Sequence, residues 1–228
     1  MKRKISAHLI TDLIVFGILT GFIAYAKYKS NESYEAFMDV VKEDGWVEYL
    51  TTLFLILGAA ILGFNAVKAA KKGKTKQILF FSLGCLAFIF GAGEEISWGQ
   101  RIFDIQPNEY FMKYNYQEEI NLHNLEIRGT DLNIMIFSQL MFVVLIIYFI
   151  LLPILTWKST LIRKQVLAFG IPLPQLYHIL ALLAANIFIP LFIGMKKESE
   201  LHELALTGIL FLVFLYPAKQ IREIKLDY

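Results

Sequence analysis

With 228 residues, 57% of them hydrophobic and only 18% charged, the chain is too apolar for an ordinary soluble domain. Such a domain is nearer half apolar and a quarter charged. A formal net charge of +2, with the lysines in short clusters beside apolar runs, argues against a nucleic-acid partner. The single cysteine, Cys85, excludes an intramolecular disulfide, and its apolar neighbours mark it as a small packing residue.

The apolar residues come in runs near the ~20 residues needed to cross a bilayer as a helix. Lipid offers exposed backbone groups no partners, so each run is expected to be helical. The first run, 9–26, is entered through Lys2-Arg3-Lys4. Its basic start and Ala24-Tyr25-Ala26 also resemble a secretory signal, but Asp12 interrupts the apolar stretch and a retained helix is expected. The second run is 46–67 and the third 77–98. A long connection follows, in which Pro107 is expected to start a short helix. Tyr110, Phe111, Tyr114 and Tyr116 would hold that helix at the membrane surface. The fourth run is 132–155, with Pro153 near its end; the fifth is 176–194 and the sixth 201–218. No linker or repeat divides the chain. The expected fold is an all-α polytopic membrane helical bundle, one integral domain over residues 1–228, with six transmembrane helices plus an interfacial helix.

Placing the 22 Lys and Arg on alternate sides of six spans divides them fourteen to eight. The fourteen lie in the N-terminal segment, around Lys68–Lys76, around Lys158–Lys164 and in the C-terminal tail. The positive-inside bias then puts both termini in the cytoplasm of a bacterial inner membrane.

Ionisable groups within a span cost at least about 2.5 kcal/mol each and need a reason. Asp44 and Glu48 open the second span, and Glu94 and Glu95 close the third. His123 and Asn124 lie in the long connection, Asp131 and Asn133 open the fourth span, and His202 and Glu203 open the sixth. Alternation gathers all of these on the extracytoplasmic side. The other side holds little: His8 and Asp12 near the first span and His178 near the fifth, both histidines expected at the interface.

The centre of this pattern is Gly91-Ala92-Gly93-Glu94-Glu95-Ile96-Ser97-Trp98-Gly99-Gln100-Arg101. Adjacent residues on a helix point about 100° apart, so Glu94 and Glu95 are free to serve different ends. A continued helix would put Glu94, Trp98 and Arg101 on one face. Gly91 and Gly93 would let a helix or a substrate approach closely. A Glu–Arg pair closing the helix beside an interfacial Trp is the alternative reading. Glu119 and His123, Glu198 and His202, and Asp44 and Glu48 all show i, i+4 spacing. Two histidines with several carboxylates at one depth suit a divalent metal such as Zn²⁺.

The run Gly93–Arg101, followed by Asn121-Leu122-His123-Asn124, resembles uncharacterised bacterial multi-span membrane proteins. More distantly, paired glutamates, a following arginine and separate histidines resemble the CAAX-protease-like glutamate intramembrane proteases. That family's pattern is Glu-Glu-x-x-x-Arg, then Phe-x-x-x-His, then a His followed four residues on by Asn. Here five residues separate Glu95 from Arg101, and the residues four before His123 and His202 are Glu119 and Glu198. The resemblance therefore implies acid/base roles for Glu94 and Glu95 alone.

Together these readings predict a membrane-embedded hydrolase or transferase acting on a lipid, lipid-linked or membrane-anchored substrate. Glu94 or Glu95 would be the general base, and His123 and His202, with Glu95, would hold a metal. Arg101, Trp98, Gln100 and Asn124 would contact substrate. Asp44, Glu48, Glu119 and Glu203 would orient the histidines. An ion-coupled transporter or channel using the same acids, and a non-enzymatic membrane binding or assembly factor, remain the alternatives.

Overall fold

The structure is a computed structural model that describes residues 7–127, 130–131 and 139–217. Ten α-helices make up most of it: α1 (Ala7–Glu32), α2 (Tyr34–Met38), α3 (Trp46–Ala70), α4 (Thr75–Glu95), α5 (Glu109–Tyr114), α6 (Met141–Ile146), α7 (Leu152–Lys158), α8 (Thr160–Phe169), α9 (Leu176–Phe192) and α10 (Ser199–Leu215). The fold is all-helical as expected, with one antiparallel pair of two-residue strands, β1 (Glu126–Ile127) and β2 (Thr130–Asp131), as a minor addition. It lies in the long connection, where backbone groups outside a helix need partners of their own.

Among the described residues, four helical stretches are long and apolar enough to cross a membrane: His8–Glu32, Trp46–Ala70, Thr75–Glu95 and Met141–Lys158. Helix α9 is apolar but has 17 residues, and α10 also has 17. The outward faces of the long helices are apolar as well. Leu53, Ile56 and Leu57 on α3 and Leu79, Leu83 and Leu86 on α4 are all exposed. Apolar surface on that scale is compatible with lipid rather than water, so the chain is a membrane protein. The fourth run begins at 132, and its first residues, Asn133 among them, lie outside the described part.

Helices α3 and α4 form an antiparallel hairpin that turns through Gly73, at φ +62°. Glycine sets how closely they approach. A Cβ at Gly58 would lie 2.4 Å from the Phe88 ring, and one at Gly84 would lie 3.3 Å from Leu62. Helix α10 packs into this hairpin, and its Leu201, Leu204, Ile209, Leu212 and Val213 are fully enclosed. Gly208 on α10 admits Leu19 of α1 and Phe54 of α3. Between α6 and α7 the chain takes a π-helical turn, Ile147–Leu151, immediately before Pro153. Proline has no N–H to donate and its ring crowds the preceding turn, and a widened turn absorbs both defects. Helix α8 ends on Gly170 in the left-handed conformation.

Helix direction alternates through α3, α4 and α10. The start of α3, the end of α4 and the start of α10 therefore share one end of the bundle with the connection after α4.

Candidate functional site

Helix α4 stops at Glu95, not at Trp98 as its apolar pattern suggests. Ser97, Trp98 and Gly99 all take positive φ, at 45°, 54° and 80°. Side chains other than glycine tolerate this only where the surroundings enforce it. The Trp98 indole folds back over Gly93, where a Cβ would sit 2.8 Å from the ring. Its Nε1 donates to Glu94 Oε1 at 2.8 Å. Ser97, fully buried, donates from Oγ to Glu119 Oε2 at 2.8 Å. Gly93 is thus small to admit the chain's own tryptophan. The expected shared helical face of Glu94, Trp98 and Arg101 does not form, because the helix has already ended.

Arg101 instead turns to three carboxylates from three segments. Its Nε lies 2.6 Å from Asp44 Oδ2, its Nη2 donates to Glu48 Oε1 at 2.9 Å, and its Nη1 donates to Glu119 Oε1. Burial works against the guanidinium charge. The Asp44 contact and the charges of Glu119 and Glu48 outweigh it and raise the Arg101 pKa. Glu48 also accepts from the Asp44 backbone N–H at 2.9 Å, so this i, i+4 pair ties the chain entering α3 to its first turn.

Residues 115–125 are not helical, so Glu119 and His123 do not share a helix face. Buried asparagines organise the segment. Asn115 Oδ1 accepts from the N–H groups of Gln117 and Glu119, and its Nδ2 donates to Asn121 Oδ1 at 2.9 Å. Asn121 Nδ2 donates to Glu119 Oε2 at 2.6 Å, and Asn124 Nδ2 donates to Gln117 Oε1. Gln100 fastens the same segment, accepting from Ile120 N–H at 2.5 Å and donating to Glu118 O at 3.1 Å. Of the four residues expected to hold substrate, Trp98, Gln100 and Arg101 bond the connection and the helix ends to one another, and Asn124 bonds within the connection. Asn108, not Pro107, caps the short α5, accepting from the N–H groups of Tyr110 and Phe111.

Glu94 is 3% exposed. Besides the indole, its Oε2 accepts from Leu122 N–H at 2.7 Å and His123 N–H at 3.1 Å. His123 Nδ1 lies 3.7 Å from the same oxygen, so Glu94 fixes both the backbone and the ring of His123.

No family model, curated protein or solved structure matches this chain.

Glu95, one residue on, points elsewhere. It is half-buried, and Glu203 of α10, which is solvent-accessible, is the charged group acting on it most strongly. Two neighbouring carboxylates repel each other unless one of them carries a proton. Glu200, one turn before Glu203, acts electrostatically on Glu95, and so does Glu48. His123 in turn acts on Glu203. Glu94 and His123 are thus in contact, and Glu203 and Glu95 lie within electrostatic reach of this pair and of each other, where α4, the connection and α10 meet. Beside it, Lys197 donates to Glu43 Oε1 at 2.9 Å. Burial opposes the Lys197 charge, but the bond to Glu43 and the charges of Glu43 and Glu200 prevail and raise its pKa.

Sequence reasoning passed over Glu200. It sits in Lys196-Lys197-Glu198-Ser199-Glu200, which reads as a solvated turn. Its i, i+3 spacing to Glu203 was the available signal.

His202 does not join this cluster. Glu198 is the charged group acting on it, and its Nδ1 is buried without a hydrogen-bond partner. Among the described residues, no three His, Cys, Asp or Glu side chains gather where one ion would bind them. The donors therefore do not fit the expected divalent metal shared by His123, His202 and Glu95. Asp131 lies in β2. At the opposite end, His178 is buried within the protein, and its Nδ1 accepts from Gln175 N–H at 3.1 Å.

Proposed function

We propose that the chain is a six-span membrane-embedded hydrolase or transferase whose acid/base groups are Glu95, Glu203 and His123. Its substrate would be a lipid, a lipid-linked group or a membrane-anchored peptide at headgroup depth in the extracytoplasmic leaflet. The observation that carries this reading is the carboxyl pair of Glu95 and Glu203, with His123 beside it. Two carboxyls sharing one proton form an acid/base unit.

Glu94 positions His123 through its N–H and ring. His123 takes a proton from water or an acceptor hydroxyl as that oxygen attacks the carbonyl or phosphoryl centre of the substrate. The Glu95–Glu203 pair gives its shared proton to the departing oxygen or nitrogen as the scissile bond breaks. Proton return from His123 to the pair completes the cycle. The metal of the initial expectation has no part in these steps.

The test uses protein reconstituted in nanodiscs, incubated with bacterial lipid and lipid-linked extracts, with products read by mass spectrometry. Wild type should generate a product that empty nanodiscs do not. Glu95→Gln and His123→Gln should each lower its rate by about 10²–10⁴-fold, the usual worth of a positioned acid or base. Absence of any wild-type product, or full activity in a Glu95→Gln protein that melts like wild type, would overturn the assignment.

A further inference from the structure

At the end of the bundle away from the carboxylates, α1, α3 and α10 leave a cavity of about 790 Å³ between them. That is within the ~300–1,000 Å³ range of small-molecule sites. Its lining changes character along α3. Leu57, Ile61 and Phe64 line one side in order along the helix, and Lys68 follows at the end, about 16 Å from Leu57 along the helix axis. Phe211 and Leu215 of α10 form the facing apolar wall. His8 joins Lys68 among the lining residues, and its Nδ1 is buried without a hydrogen-bond partner. Among the described residues, the lining includes no acidic side chain. Phe64 and Lys68 are both exposed, so the cavity opens sideways to the bilayer.

An apolar trough that ends in a cation at the membrane edge has the polarity profile of one phospholipid leg. A water-filled pocket would not have its wall built from leucine, isoleucine and phenylalanine. A neutral apolar ligand would leave the His8 Nδ1 and the Lys68 ammonium unanswered. We propose that this cavity binds an anionic phospholipid, with one acyl chain along Leu57, Ile61 and Phe211 and the headgroup phosphate against Lys68 and His8. This lipid is held apart from the carboxylate cluster, and the assignment stands whether or not the catalytic reading does.

The experiment is native mass spectrometry of the full chain, released from nanodiscs containing phosphatidylcholine and increasing phosphatidylglycerol. Wild type should retain one phosphatidylglycerol in preference to phosphatidylcholine. Lys68→Glu should weaken that retention about fivefold or more, the scale of one lysine beside an anionic headgroup. Lys72→Glu, in the nearby turn but outside the cavity lining, should leave it within twofold of wild type. Ala60→Phe, at an exposed lining position, should displace both lipids while preserving the melting temperature. No headgroup preference in wild type would overturn the proposal. So would equal losses in Lys68→Glu and Lys72→Glu, which mean diffuse surface attraction without a site.

Discussion

Glu94 and Glu95 are neighbours in sequence with opposite fates. Glu94 is buried, and both its oxygens accept hydrogen bonds from donors in the connection after α4. Glu95 has Glu203, another acid, as its partner. The 100° step between adjacent helical residues accounts for the division. Arg101 shows the structural side of the network at its strongest, since Asp44, Glu48 and Glu119 all depend on it. Arg101→Met should therefore destabilise the fold by about 3–5 kcal/mol, the usual penalty for stranding buried charges. Thermal unfolding in detergent reads this directly. Arg101→Lys should recover little of the loss, because one ammonium lacks the fork that reaches several carboxylates at once. A melting temperature unchanged by Arg101→Met would show that the carboxylates find other partners.

Among the helices, the α3–α4 hairpin is tightest at Gly58. Gly58 is in the middle of a long apolar helix, where glycine costs about 1 kcal/mol relative to alanine. The cost is offset because Phe88 occupies the space of the missing Cβ. Gly58→Ala should destabilise by about 1–3 kcal/mol through overpacking, although it raises helix propensity. Gly17 on α1 gives the contrast, since a Cβ there meets nothing within 4 Å. Gly17→Ala should be neutral or stabilising by up to ~1 kcal/mol. Paired melting curves of the two variants check whether close approach, not propensity, fixes Gly58.

For the molecule as a whole, membrane orientation decides which leaflet the carboxylate cluster faces. The lysine and arginine distribution predicts a cytoplasmic turn around Lys72 and α5 on the opposite side. In a Cys85→Ser background, Glu109→Cys should react with an impermeant maleimide on intact cells. Lys72→Cys should react only after permeabilisation. The reverse pattern would turn the carboxylate cluster toward the cytosol. Both positions are exposed, so accessibility within the protein does not confound the comparison.

Much of the helical scaffold was legible in the chain because long apolar runs leave lipid-embedded backbone one good solution. The runs at 9–26, 46–67 and 77–98 correspond to α1, α3 and α4, and the extra polar residues at their ends fit caps and turns. Spacing also marked the polar residues that meet at one end, because alternating helices carry every second connection to the same side. Sequence alone did not show which of them pair. Arg101 was read with Glu94 on the assumption of a continuous helix, yet three left-handed residues swing it to Asp44, Glu48 and Glu119. His202 was grouped with His123 by depth, but rotation about α10 turns it toward Glu198 and presents Glu203 to Glu95. Hydrophobic periodicity specifies which residues enter the membrane and near what height. The partner of each charge depends on helix rotation and on where a helix stops, and those are fixed only when the segments pack together.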